Sequence, residues 1–191
     1  MKKIFIVLIL FIGLINNVSA EIKRILSGNE NAKITIIVYE SLTCSHCASF
    51  HKDVYPQLKK NYIDTGIVKI EFRHFPLDVA AFNASKIAQC KQDQSLEILE
   101  SLYSNQQAWV KGNTIEEINI NLKKFLKKEG FNLEFEKCIN NKEIEDFVLN
   151  DRIEGTKSFK VNATPTIIIN NEKFEKTLNY KNLKKALEKL I

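Results

Sequence analysis

The stretch Ile34-Thr35-Ile36-Ile37-Val38-Tyr39-Glu40-Ser41-Leu42-Thr43-Cys44-Ser45-His46-Cys47 decides how this 191-residue chain is read. Ile34 to Tyr39 is an apolar, β-branched and aromatic run, the composition of a buried strand. Ala48 to Tyr62 continues as a helix-like segment, so Cys44 and Cys47 fall where a strand hands over to a helix. Two thiols so placed can form and break a disulfide without moving the fold.

Redox chemistry depends on compartment, and the amino terminus speaks to that. Lys2 and Lys3 precede an apolar stretch, Ile4 to Ile15, and Val18-Ser19-Ala20 offers small residues for cleavage, so residues 1–20 read as a secretory signal peptide. The apolar stretch is short against the ~18 residues of a spanning helix. An exported chain with four cysteines is expected to carry two disulfides. Four cysteines allow three pairings; proximity favours Cys44 with Cys47, which leaves Cys90 with Cys138. The apolar content of 45% is that of a chain with a packed core. The formal charge of +5, two units of it in the signal, and the scattered lysines argue against a nucleic-acid partner.

A second strand is expected over Ile67 to Arg73, completing a β-α-β beginning. Helical segments follow without an intervening strand: Val79 to Lys91, Ser95 to Trp109, Thr114 to Lys128, and Leu133 to about Ser158 with a break near Asn140-Asn141. Thr114-Ile115-Glu116-Glu117 fits a capping box, and Ile118, Leu122, Phe125 and Leu126 recur at helical spacing. Thr166 to Ile169 then reads as a strand, Asn170-Asn171 as a hairpin turn, Lys173 to Glu175 as a short partner strand, and Tyr180 to Leu190 as an amphipathic helix. This order is that of an α/β, thioredoxin-like fold split by a helical insertion: residues 21–77 and 155–191 form the thioredoxin-like domain and 78–154 the insertion.

In such a fold Cys44 occupies the first turn of a helix, where unpaired backbone N–H groups and the positive end of the helix dipole favour a thiolate. The thiol is expected well below its usual pKa of about 8.5. Cys44 therefore exchanges with substrates, and Cys47, one turn on and facing inward, resolves. His46 can add a donor or a positive charge beside the thiolate, which makes the disulfide more oxidising; a solvated histidine without redox role is the plainer alternative. Ala163-Thr164-Pro165-Thr166 places a proline at the start of the returning strand.

Strand, Cys-x-His-Cys, helical block and Thr-Pro before a strand together resemble the DsbA-type thiol:disulfide oxidoreductases over nearly all of residues 21–191. Ser41 to Cys47, Ala88-Gln89-Cys90, Gln106-Gln107-Ala108-Trp109 and Ala163 to Thr166 are similar to the bacterial branch whose insertion carries an extra disulfide. The resemblance implies a periplasmic oxidase, monomeric and without a dissociable cofactor. It implies donation of the Cys44–Cys47 disulfide to reduced, unfolded secreted proteins and reoxidation by a quinone-linked membrane partner. It also implies that Pro165 is cis against Cys44, and that Thr164 and Pro165 hold the substrate strand. Many relatives have Pro at the position of Ser45 and an acid at that of Val38. Glu40, two residues on and on the same strand face, is a candidate to serve the Cys47 proton; a solvent-facing carboxylate is the alternative.

A rival class is a copper or zinc binding or delivery protein using Cys44, Cys47 and His51. A closed zinc site wants four ligands, and His74 would have to be brought in by the fold, so His51 and His74 are read as surface or strand-end residues and no metal site is assigned. Haem attachment fails because Ala48 stands where Cys-x-x-Cys-His needs histidine. Reductase and isomerase activities keep the fold and change the task; isomerase is disfavoured because only Glu21 to Lys33 lies ahead of the first expected strand, too little for a separate dimerisation domain.

Overall fold

The computed structural model describes residues 22–191; the signal-peptide reading of residues 1–20 lies outside the described residues. The strands β1 (Ile25–Ser27), β2 (Ile34–Glu40), β3 (Val68–His74), β4 (Thr166–Ile169) and β5 (Glu172–Lys173) form a single sheet in the spatial order β1-β3-β2-β4-β5. The central strand β2 runs parallel to β3, from Ile34 against Val68 to Glu40 against His74, and antiparallel to β4. A central strand is covered on both faces, which is why β2 lacks the alternation of a half-exposed one. Ile36 and Val38 enter the larger core, while Ile37 and Tyr39 join Phe75, Val161 and Ile168 on the opposite face.

The parallel β2–β3 pair requires a crossover, supplied by α1, residues 45–63. This helix is longer than the expected Ala48 to Tyr62 and is not uniform: Ser45–Ser49 and Tyr55–Leu58 are α-helical, Phe50–Val54 and Lys59–Ile63 π-helical. Pro56 lacks the N–H that a continuous α-helix would use, and the ladder widens just before it, with the Tyr55 N–H donating to the Phe50 carbonyl. β1 was not anticipated. Three residues are too few for a periodic signal, and β1 exists through pairing with β3, Ile25 opposite Phe72.

Between β3 and β4 lie α2 (Val79–Gln89), α3 (Glu97–Ser104), α4 (Gln106–Trp109), α5 (Ile115–Lys128), α6 (Phe135–Ile139) and α7 (Lys142–Phe159). The segment expected as one helix from Ser95 to Trp109 is two helices because Asn105 leaves helical geometry, at φ −124° and ψ 27°. The capping box at Thr114 is half made: its hydroxyl accepts from the Glu117 N–H, but the Glu117 carboxylate accepts from the Asn113 N–H. The break at Asn140-Asn141 is present, and Asn141 caps α7 by accepting from the Ile144 N–H. Asn170 and Asn171 both have positive φ in the turn between β4 and β5, as a type I′ hairpin requires. β5 is shorter than the expected Lys173 to Glu175, and α8 (Tyr180–Leu187) closes the fold.

α7 crosses the second face of the sheet directly over Tyr39. A Cβ on Gly155 would sit 2.8 Å from the Tyr39 ring, so the helix approaches this closely only because residue 155 has no side chain.

Candidate active site

Cys44 is the N-cap of α1, at φ −79° and ψ 119°, with its N–H donating to the Ser41 carbonyl at 3.0 Å. β2 ends at Glu40, and this tight turn sets the Cys44 sulfur over the first backbone N–H groups of the helix. Cys47, one turn further, is 0% exposed, and both cysteines are free thiols. The Cys44 thiol is held down at about 5 from an ordinary 9.0. The hydrogen bond from the Cys47 thiol is the largest cause, partial burial opposes it, and the Thr164 hydroxyl with the backbone N–H groups of Cys47 and His46 adds further donors. Burial pushes the Cys47 thiol the opposite way, reinforced by its bond to Cys44 and by the Glu40 charge.

The Thr164–Pro165 peptide bond is cis, and the Thr164 carbonyl oxygen lies 3.3 Å from the Cys44 sulfur, close enough to accept from the thiol form. The Thr164 hydroxyl is buried without a hydrogen-bond partner among the described residues, which leaves its O–H free to favour the Cys44 anion. His46 is exposed; its backbone N–H faces the sulfur, while the residue lines a groove of about 410 Å³ with Phe50, Val54, Thr164, Pro165 and Leu178.

His51 corrects the sequence expectation: at 8% exposed and within α1, it is neither a surface nor a strand-end residue, whereas His74, 2% exposed, has the expected strand-end place. The His51 Nε2 pairs with Glu40 at 2.8 Å, and its ring stacks on Tyr103 with centroids 4.2 Å apart. At the end of β3 the His74 ring is held by Gln89 and its backbone N–H donates to Asp151. Among the described residues no three His, Cys, Asp or Glu side chains stand where they could hold a metal ion, so Cys44, Cys47 and His51 do not assemble the rival site. Glu40 is 2% exposed, which excludes the solvent-facing alternative. Glu40 Oε1, His51 Nδ1 and the Tyr103 hydroxyl are buried without hydrogen-bond partners among the described residues, a polar cluster behind Cys47 that the sequence did not announce.

Besides Tyr103, the helical block reaches the turn before α1 through Gln106 and Asp78. Gln106 Nε2, at the start of α4, donates to the Leu42 carbonyl at 2.7 Å and to the Cys44 carbonyl at 3.0 Å. Thr43 donates to Asp78, the cap of α2, at 2.6 Å. Further from the thiols, Cys90 at the end of α2 is disulfide-bonded to Cys138 in α6, with an S–S distance of 1.98 Å.

With this geometry in place, comparison with known proteins is direct: the family model described as Thioredoxin matches residues 20–189. The chain belongs to the thioredoxin family. Within that family the DsbA-type resemblance is borne out by a crystal structure of Wolbachia pipientis alpha-DsbA1. It superposes with a TM-score of 0.77 at 29% identity, covering 87% of this chain and 90% of that one. BdbD of Bacillus subtilis shares the fold, with a TM-score of 0.67 at 22% identity and coverage of 87% and 91%. In sequence the chain is 28% identical over 168 residues to a Rickettsia bellii protein named for protein-disulfide oxidoreductase activity, covering 86% of this chain and 63% of that protein. It is 25% identical over 179 residues to disulfide bond formation protein D of Bacillus subtilis, with coverage of 85% and 74%. The chain thus spans about three fifths of the length of the rickettsial relatives it matches. In this thioredoxin-family chain the buried carboxylate near Cys47 is Glu40, on the strand end that pairs with His74, while Val38 is packed in the apolar core.

Proposed function

We propose that the protein is an exported thiol:disulfide oxidoreductase that donates the Cys44–Cys47 disulfide to reduced secreted proteins in the periplasm. A substrate thiolate attacks the Cys44 sulfur, the Cys44–Cys47 bond breaks, and Cys47 leaves as a thiolate that takes up a proton. The substrate is then joined to Cys44 as a mixed disulfide. A second substrate thiolate attacks the substrate sulfur of that bond, forming the substrate disulfide and releasing Cys44 as a thiolate. The two electrons removed from substrate reside in the Cys44 thiolate and the Cys47 thiol, and a quinone-linked membrane partner removes them. The protein works as a monomer and needs no cofactor beyond its own sulfurs.

The observation that carries this reading is the opposite treatment of the two thiols. Cys44, half-exposed and ringed by donors, is a good leaving group; Cys47, buried and held protonated, is not released into solvent. Thr164 and Pro165, at the head of the groove, hold the substrate strand, and His46 contributes its backbone N–H to the thiolate. The buried Glu40–His51 pair is the acid–base reservoir from which departing Cys47 draws its proton. Cys90–Cys138 staples the helical block and takes no part in exchange.

Trapping tests the division of labour. Incubated with a reduced dithiol peptide and an oxidant, Cys47→Ser should accumulate a mixed disulfide at Cys44, and Cys44→Ser should neither form the adduct nor oxidise the peptide. Peptide oxidation by Cys44→Ser at the parent rate would overturn the assignment.

A further inference from the structure

Gln106 occupies a place that the reaction as described does not use. It opens a four-residue helix held at both ends: Asn105, the residue before it, donates from Nδ2 to the Ser101 carbonyl at 3.0 Å, and fully buried Trp109 donates to the Leu102 carbonyl at 2.9 Å. From that anchored turn a single amide nitrogen spends both its hydrogens on the carbonyls of Leu42 and Cys44, one on each side of Thr43. The Cys44 carbonyl also accepts the first bond of α1, from the Ala48 N–H at 3.2 Å.

We infer that Gln106 is a positioning residue for thiol exchange, clamping the turn that presents the Cys44 sulfur to the helix N-terminus. Two physical effects follow from the one contact. Convergence of two carbonyls on one nitrogen fixes the path of residues 42–44, so the sulfur stays over the His46 and Cys47 N–H groups. The Gln106 amide hydrogens also engage carbonyl oxygens whose partial negative charge would otherwise face the thiolate unopposed. The helical block thereby tunes the nucleophile from outside the strand–turn–helix unit that carries it. This rests on the proposed role of Cys44 as the exchanging thiol.

The test is the pH profile of Cys44 alkylation in the reduced protein. Gln106→Met keeps the volume and removes both donors; it should move the midpoint upward by about one unit, a tenfold loss of thiolate at pH values below the midpoint. Gln106→Glu, which turns an acceptor toward two carbonyls, should move it further, and Gln107→Met, on the exposed neighbour, should leave it in place. The same shift should make the disulfide less oxidising in glutathione equilibration, since the reduced form loses stabilisation. A folded Gln106→Met protein with an unmoved midpoint and only a lower melting temperature would overturn the inference. If that variant does not fold, Gln106→Asn, whose amide stops one methylene short, carries the same titration; failure of both to fold would assign Gln106 to the fold and equally overturn it. Loss of exchange in Cys44→Ser tests the underlying reaction separately, because a wrong nucleophile leaves the adduct at another residue whatever Gln106 does.

Discussion

Cys44 and Cys47 carry the same group three positions apart, and their surroundings drive them in opposite directions. Cys44 collects donors and so has a depressed pKa in the folded, reduced protein; Cys47, buried beside Glu40, is raised. For a depressed acid the folded state gains stability that is complete above the unfolded value and is lost as pH falls through the folded value. The window for Cys44 therefore runs from about 9.0 down to about 5. The oxidised protein has no such group to titrate. The melting temperature of the reduced form, measured relative to the oxidised form, should accordingly fall as pH is lowered from about 9.0 to about 5 and level off below, and a constant difference would contradict the depressed thiol. The cysteines were legible from their spacing at a strand–helix boundary, whereas the strand boundary only put Thr164-Pro165 at the head of a strand and its place against Cys44 came from the DsbA-type resemblance. The Glu40–His51–Tyr103 cluster was not, since burial at the end of β2 depends on Tyr103 arriving from α3, 63 positions further along the chain than Glu40. A histidine on a polar-looking segment, Ser49 to Asp53, offers no local sign that its ring will be stacked and paired.

At the scale of elements, β2, β3, β4 and the long helices follow from composition and periodicity, whereas β1 and the π-helical turns of α1 do not. β1 is defined by its partner strand, and the widened turn at Phe50–Val54 by Pro56 acting against the helical ladder, neither of which a hydrophobic pattern records. α7 shows a further limit: glycine within a helix reads as a weakness, yet Gly155 is what lets α7 lie on Tyr39. Because the facing atoms belong to a buried ring held between Phe75 and Phe159, they have little room to give. Gly155→Ala should destabilise the protein by about 1–3 kcal/mol, in spite of the helix propensity gained. A denaturant midpoint equal to or above that of the parent would show that the ring moves aside freely.

For the molecule as a whole, the Cys90–Cys138 disulfide ties the helical block to itself, and Gln106 and Asp78 tie it to the turn at residues 41–44, in addition to the bonds of Gln89 and Asp151 to His74. The disulfide spans 48 positions of sequence. Closing a loop of that size stabilises by about 4 kcal/mol when the unfolded chain bears the whole constraint. Replacing Cys90 and Cys138 together by serine should cost stability of that order while folded protein keeps its exchange rate; equal loss of rate in folded material would place this disulfide in the reaction. The order of strands and helices was readable from the sequence, but the contacts between the helical block and the active-site turn were not, because single side chains make them across 35 positions for Asp78 with Thr43 and more than sixty for Gln106 with Leu42 and Cys44. Everything proposed about function depends on Cys44 being an anion at neutral pH. Titrating the thiolate absorbance of the fully reduced protein measures this directly: the account predicts a single transition near 5, absent in Cys44→Ser, and a transition near 9.0 would contradict it.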